Sequence, residues 1–261
     1  MPFDKFNRRD RILGYVEQKG RASIDELCKF LDTSEPTVRR DLTTLAKEGL
    51  LRRIHGGAVL GDGFRADPPV VQRSSVNSAQ KRAIGKKTAE MIHDGETIFL
   101  GSGSTVLEVA RNLMDRRELR VITNSLPIVN LLADVPAIHL VMTGGFLRNS
   151  ERTFIGFIVE KTLSELRADK VIFGIQGIHP EHGLTNDWVP ETMVDRAIVS
   201  FAPELIVVAD SSKFGKTRLS FVTGLAQVGV IVTDSGIDPH MAKQMTQRGV
   251  RMIVAEVEPN R

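Results

Sequence analysis

From about residue 83 onward, short apolar runs alternate with amphipathic stretches, and this alternation constrains the fold more than any other feature of the chain. Candidate strands lie at 97–100, 120–123, 138–142, 170–173, 205–209, 228–233 and 251–255, with helical spacing between most of them. Runs such as Leu205-Ile206-Val207-Val208 are apolar at every position. A strand reads that way when helices cover both faces of its sheet, so a mostly parallel α/β sheet is expected. With 261 residues, 41% apolar and 26% charged, the chain can bury one large core or two smaller ones. That composition excludes disordered and collagen-like classes. No internal repeat or low-complexity tract is present.

No apolar run approaches the ~20 residues of a membrane span, and Met1-Pro2-Phe3-Asp4-Lys5 has no signal-peptide core. A cytoplasmic protein with no membrane partner is expected. Cys28 is the single cysteine, which rules out an internal disulfide and a cysteine metal cage and fits a reducing compartment. Neither a metal nor a cofactor is implied.

The first sixty residues follow a different pattern. Residues 8–18 put Ile12, Leu13 and Val16 on one face and stop before Gly20. Ser23 opens a second helix with Glu26 at the capping-box spacing, and Leu27, Phe30 and Leu31 form its expected buried stripe, with Cys28 packing nearby. A third helix begins at Ser34, whose hydroxyl is expected to cap free amides, tolerates Pro36 in its first turn and ends near Gly49. Val38, Leu42 and Leu45 share its dry side, while Pro36, Arg40, Thr43 and Lys47 lie opposite, with Arg39 at the flank. Two short strands follow around His55-Gly56-Gly57, carrying Arg52 and Arg53 with no acid between them. The Gly- and Pro-rich GDGFRADPP stretch is the clearest break. Three units result: 1–60, a linker at 61–74, and 75–261.

Charge supports this division. Residues 1–60 hold 12 basic and 9 acidic residues, whereas 61–261 hold 23 of each, so the whole excess of +3 lies in the small front unit. Helix, turn, polar third helix and basic hairpin make the layout of a winged helix-turn-helix. A helix of this kind fits the DNA major groove, where Arg bonds guanine edges and Thr touches a thymine methyl, while a wing sets Arg on phosphates. A protein-interaction module with a solvated charged face is the alternative, since Arg39, Arg40 and Lys47 are balanced by Glu35, Asp41 and Glu48. Arg73, Lys81, Arg82, Lys86 and Lys87 make the stretch after the linker basic, consistent with a nearby polyanion or a solvated helix face.

In the larger unit, Gly101-Ser102-Gly103-Ser104-Thr105 follows a candidate strand and opens a helix. Glycines admit close backbone approach, and free amides with hydroxyls suit a phosphate or a plain tight turn. The loop is neither a Walker loop nor a dinucleotide fingerprint. Thr123-Asn124-Ser125, Thr143-Gly144-Gly145, residues 174–177 and Asp210-Ser211-Ser212-Lys213 also follow candidate strands. Ligands of open α/β sheets bind at strand carboxyl ends, so these loops converge on one pocket or act as capping turns. Lys213 is the most pointed cation among them. His179 and His182, in His179-Pro180-Glu181-His182, read as a surface turn, and Trp188 as packing.

Ser34-Glu35-Pro36-Thr37-Val38-Arg39-Arg40-Asp41-Leu42, followed by Glu48-Gly49-Leu50-Leu51-Arg52-Arg53-Ile54-His55-Gly56-Gly57-Ala58, resembles the signature of DeoR-type bacterial transcription regulators. The resemblance continues through the strand-end loops, His182-Gly183-Leu184-Thr185 and Ala209-Asp210-Ser211-Ser212-Lys213-Phe214-Gly215, and so spans nearly the whole chain. It implies contacts to double-stranded operator DNA from Ser34, Thr37, Arg39, Arg40, Thr43, Arg53 and His55. It also implies an effector domain akin to ribose-5-phosphate isomerase, a phosphorylated sugar or related metabolite as ligand, release of DNA when it binds, and a homo-oligomer. The expected effector residues are Ser102, Gly103, Ser104, Thr105, Thr123, Asn124, Ser125, Gly144, Gly145, Gln176 and Lys213. Gly101 and Gln176 stand where many members have Asp, and Asp195 where a Lys is common, departures that bear on which ligand the site takes.

The function expected is a ligand-released repressor of carbohydrate genes. A phosphosugar isomerase-like enzyme with a DNA-binding head is the alternative. It lacks the isomerases' acidic segment and Lys-Gly-Gly-Gly loop, and Gln176 cannot serve as a proton-transfer base.

Overall fold

A computed structural model describes residues 2–47, 51–60, 70–201 and 203–257. In the front unit, α1 (Pro2–Lys19), β1 (Arg21–Ser23), α2 (Ile24–Leu31), α3 (Glu35–Lys47), β2 (Leu51–Ile54) and β3 (Gly57–Leu60) follow in order. Ile12, Leu13, Val16, Leu27, Leu42 and Leu45 close a dry core between the three helices, as their spacing predicts. Ser23 caps α2 as expected: its hydroxyl accepts the Glu26 amide at 3.2 Å, and the Glu26 carboxylate accepts the Ser23 amide at 2.8 Å. Ser34 departs from expectation, because its hydroxyl meets the Thr37 hydroxyl at 3.0 Å. Phe30 departs too. It is 42% exposed, with its ring 4.7 Å from that of Tyr15 and the Arg11 guanidinium over its face, a rim position beside the Ile24, Leu27 and Leu31 stripe.

The wing is a three-stranded antiparallel sheet in the order β1-β3-β2. The hairpin is legible in the sequence, but β1 is not, because its three residues are too few for a period-2 pattern.

Of the expected linker, 61–69 lies outside the described residues, and Val70–Arg73 is a helical turn, α4. The larger unit continues through α5 (Ser78–Ala89), β4 (Thr97–Leu100), α6 (Ser104–Arg111), β5 (Leu119–Thr123), α7 (Leu126–Leu132), β6 (Ile138–Met142), β7 (Phe146–Arg148) and β8 (Thr153–Ile155). Next come α8 (Phe157–Glu165), β9 (Lys170–Gly174), β10 (Gly177–His179), β11 (Gly183–Asn186), α9 (Val189–Phe201), β12 (Leu205–Val208), β13 (Ser220–Thr223), β14 (Val230–Asp234), α10 (Pro239–Gln247) and β15 (Arg251–Ala255).

All seven expected strands form one parallel sheet in the order β15-β14-β12-β9-β4-β5-β6. Alternate residues of each strand feed different layers. Ile98, Leu100, Ile172, Ile206 and Val208 pack with Ile84, Val106 and Val109 of α5 and α6, while Phe99, Val171, Phe173 and Val207 pack with Val159, Val194 and Ile198 of α8 and α9. This is the two-sided cover that the continuous apolar runs demand. Two antiparallel additions carried no clear signal: the hairpin β7-β8 and the small sheet β10-β11-β13. Each strand in them has three or four residues.

The topology dictates where a ligand site can lie. From β4 the chain moves outward through β5 to β6, returns to place β9 against the other side of β4, and proceeds through β12, β14 and β15. The strand order reverses between β4 and β9, and a crevice opens outside the carboxyl ends there.

Candidate functional site

Two surfaces stand out, the first on the front unit. Ser34, Arg39, Arg40, Arg53 and His55 are exposed, and Thr37 and Thr43 are half-buried along the same helix. Arg53 on the wing donates to the Thr43 hydroxyl at 3.1 Å, so wing and third helix present one continuous face. Arg39 pairs with Glu35 one turn earlier at 2.6 Å. Asp41 points the other way. It is buried and takes the Arg8 guanidinium at 2.5 Å and that of Arg9 at 3.3 Å. One of the three acids that balanced α3 by count is therefore spent inside the domain, and the outer face is more basic than its composition.

The second surface is a cleft of about 210 Å³ at the reversal between β4 and β9. Ser102, Gly103, Ser104 and Thr105 reach it from β4, Gln176 from β9, and Asp210 and Lys213 from β12. Gly103 caps α6 at φ 111, and Ser104 and Thr105 form the first turn, so free amides and hydroxyls meet at one point, the arrangement that favours an anion. Six of the eleven expected effector residues come together here: Ser102, Gly103, Ser104, Thr105, Gln176 and Lys213.

The other five lie outside the cleft. Thr123 ends β5 and Asn124 and Ser125 follow it, while Gly144 and Gly145 follow β6, on the far side of the reversal. Thr123 donates to the Leu100 carbonyl at 2.6 Å, the Asn124 carbonyl accepts the Phe154 amide at 2.7 Å, and Ser125 bridges to Thr153. A Cβ on Gly145 would lie 2.7 Å from the Ile155 carbonyl oxygen. Asn124, Ser125 and Gly145 thus meet the hairpin, while Thr123 bonds within the sheet.

Several lining residues carried no motif. Arg73, Asn77, Lys81, Glu151, Asn186, Glu191 and Asp195 complete the cleft. The basic stretch after the linker divides: Arg73 and Lys81 face the cleft, Arg82 and Lys86 are exposed, and Lys87 pairs with Glu90 at 2.7 Å. Lys81 is buried, and burial lowers its ammonium below the usual lysine range against the opposing pull of Asp210.

The α9 wall is a buried charge network. Glu191 pairs with Arg148, whose guanidinium lies 4.1 Å from the centre of the buried Trp188 ring. The Ser102 hydroxyl donates weakly to Glu191 at 3.5 Å, tying the serine loop to this network. Asn186 accepts the Gln176 amide at 3.1 Å and donates to Asp195 at 2.5 Å. Burial, then the charge of Glu191 one turn away, pushes the Asp195 carboxyl well above the usual carboxylate range.

A raised carboxyl favours the native state in acid and weighs against it as pH rises from the ordinary carboxylate value through the raised one. Asp195→Asn removes that titration and keeps an acceptor for Asn186. Thermal unfolding from about pH 5 to about pH 8 should therefore show the variant losing less stability than the parent. Parallel profiles would disprove the shift.

His179, Glu181 and His182 bring ligand-type atoms within 4.8 Å of one another. The Nδ1 of His179 accepts the amides of Glu181 at 3.1 Å and His182 at 3.4 Å, so that nitrogen is engaged in closing its own turn. The group is the turn that its sequence suggests. Among the described residues, no helix is long and apolar enough to cross a membrane.

Comparisons with known proteins identify both domains. Residues 8–63 match the DeoR-like helix-turn-helix domain, and residues 76–235 match the DeoR C terminal sensor domain. The transcriptional repressor AccR of Agrobacterium fabrum is 38% identical over 88% of this chain and 90% of its own. The repressor CsqR of Escherichia coli is 34% identical over 87% of each chain. The lactose phosphotransferase system repressor of Staphylococcus epidermidis is 32% identical over 89% of this chain and 93% of its own. Among solved structures, ribose 5-phosphate isomerase A of Methanocaldococcus jannaschii aligns with 53% of this chain and 55% of its own, at 22% identity and a TM-score of 0.40. The matched domains are a DNA-binding module and a sensor, neither of them catalytic. The chain therefore belongs to the DeoR family of transcriptional regulators, its winged helix-turn-helix standing before an α/β sensor domain.

Proposed function

We propose that this regulator represses carbohydrate genes and leaves its operator when a phosphorylated sugar or related metabolite enters the cleft. The supporting observation is the cleft itself, where the first turn of α6 offers amides and hydroxyls beside Lys81, Lys213 and Arg73. Relatives named as repressors, one of them of a lactose phosphotransferase system, agree with it. In this reading the protein is cytoplasmic, the joint between the domains lies at 61–74, and two copies set paired winged helices on successive half-sites of double-stranded DNA, as a two-fold operator requires. The ligand acts because it binds the DNA-free arrangement more tightly than the DNA-bound one.

Fluorescence anisotropy with labelled DNA from upstream of the gene tests the first step. Arg40→Ala should weaken specific binding about 10- to 100-fold, as removal of a base-reading side chain does. Arg53→Ala should weaken all sequences alike and reduce the salt slope by about 1. Millimolar sugar phosphates should then release the DNA and their unphosphorylated parents should not. Equal release by both would rule out a phosphate-reading cleft.

A further inference from the structure

Val70–Arg73 is the first described element after 61–69, through which the chain reaches the winged helix. A shift of this turn is a shift of the attachment point of the DNA-binding domain. The turn and the residues after it are fastened to the sensor domain at four places. The Val70 amide donates to the Ser150 carbonyl at 3.0 Å, and Arg73 pairs with Glu151. The Lys81 ammonium donates to the carbonyls of Arg73 at 2.6 Å and Val76 at 2.7 Å. Asn77, in the left-handed region at φ 52, donates from its side chain to Asp210 at 3.1 Å.

Arg73, Asn77, Lys81, Glu151 and Asp210 all line the cleft. The cations that hold the turn are thus the cations that an anion in the cleft attracts. A phosphate dianion is a stronger acceptor for an ammonium than two neutral carbonyls are, and it competes with Glu151 for the Arg73 guanidinium. Burial of Lys81 raises the stakes, because a desolvated ammonium gains most from a full opposing charge.

We propose that Lys81 and Arg73 are the positioning residues that couple the cleft to the DNA-binding domain: an anion seated against the serine loop draws their charged heads away from the Arg73 and Val76 carbonyls and from Glu151, and so loosens residues 70–77. This rests on the reading of the cleft as a phosphate site, and it adds the route by which occupancy reaches the linker.

Hydrogen exchange of the intact protein, with and without millimolar inorganic phosphate, tests it, with binding followed separately by calorimetry. The amides of Ser74 and Val76, bonded to the Val70 and Arg73 carbonyls at 3.0 and 3.2 Å, report on the turn. In the parent, phosphate should speed exchange over 70–77 about fivefold or more while the central sheet stays protected. Lys81→Met and Glu151→Gln should exchange fast there already, with no further response to phosphate, a loss of ligand dependence that a merely structural contact would not produce. If phosphate binds the parent and exchange over 70–77 is unchanged or slower, the coupling is overturned and the anion site stands. If neither phosphate nor any sugar phosphate gives heat or a thermal shift, the phosphate site falls and the coupling with it. The measurement on the parent decides between these results even if a variant does not fold.

Discussion

Gly57→Ala should weaken specific DNA binding about 100-fold while leaving the sensor domain intact. A Cβ at this position would lie 2.2 Å from the Ala22 carbonyl oxygen and 3.0 Å from the Ser23 Cα. Both are backbone atoms of β1, which pairs with β3 through Ser23 and Gly57. No rotamer relieves such a clash, so β1 and β3 must part. Overpacking of this kind costs about 1–3 kcal/mol, and we expect the upper end because backbone must move. The separation displaces the wing from the third helix and removes the hydrogen bond from Arg53 to Thr43 that keeps the two surfaces in line. Operator affinity should fall by that amount, because the wing's phosphate contacts are lost and the third helix loses the partner that keeps it in line. Differential scanning calorimetry should show a lowered front-domain transition beside an unchanged sensor transition. Parent-like operator affinity would mean that the wing tolerates the methyl group and is not held as described.

The second large effect belongs to the cleft. Arg148→Met should destabilise the sensor domain by about 3–5 kcal/mol, the range for breaking a buried ion pair from one side. Arg148 and Glu191 are 7% and 10% exposed at their side chains, so little solvent screening softens the loss. The substitution leaves the Glu191 carboxylate uncompensated beside the raised Asp195 carboxyl and uncovers the Trp188 face. Adding Glu191→Leu should restore much of the stability, because a well-packed apolar pair avoids the desolvation that the ion pair carries. Urea unfolding of both variants separates the cases. If the double variant is no more stable than the single one, the loss comes from packing around Trp188 and not from the stranded charge. The double variant should still bind phosphorylated ligand less well, since Glu191 also anchors Ser102 of the serine loop.

Much of this architecture is legible in the residues. The seven strands of the central sheet follow from apolar runs alone, within two residues at their ends, because burial on both faces leaves an unbroken signature. The α2 capping box is legible for a similar reason: Ser23 and Glu26 interact across three residues and depend on nothing distant. Phe30 is misplaced by its spacing because a helical period marks a stripe but not its rim, where a ring can rest on Tyr15 and still meet water. The β7-β8 hairpin is illegible because three-residue strands have no measurable period, and that hairpin meets the loops after β5 and β6. Five of the eleven expected effector residues lie at those strand ends, outside the cleft lining.

The cleft divides along the same line. The serine loop is local, a strand end and a helix start within five residues, and can be read directly. Its companions are not local. Arg73, Glu151 and Glu191 meet only because the strand order reverses between β4 and β9, and the sequence pattern sets the strands without setting their order.

What the amino-acid order alone determined is whatever depends on neighbours within about one helical turn or one strand: the elements, the α2 cap, the basic wing and the serine- and glycine-rich loop that opens α6. Tertiary structure alone decided which charges remain available. Asp41 turns inward to Arg8 and Arg9 and bares a basic helix face, and Lys81 and Arg73 are held where an anion would reach them. The physical reason is that the strength of a charge is set by its partners and by its distance from water, and both are fixed only when distant segments pack together.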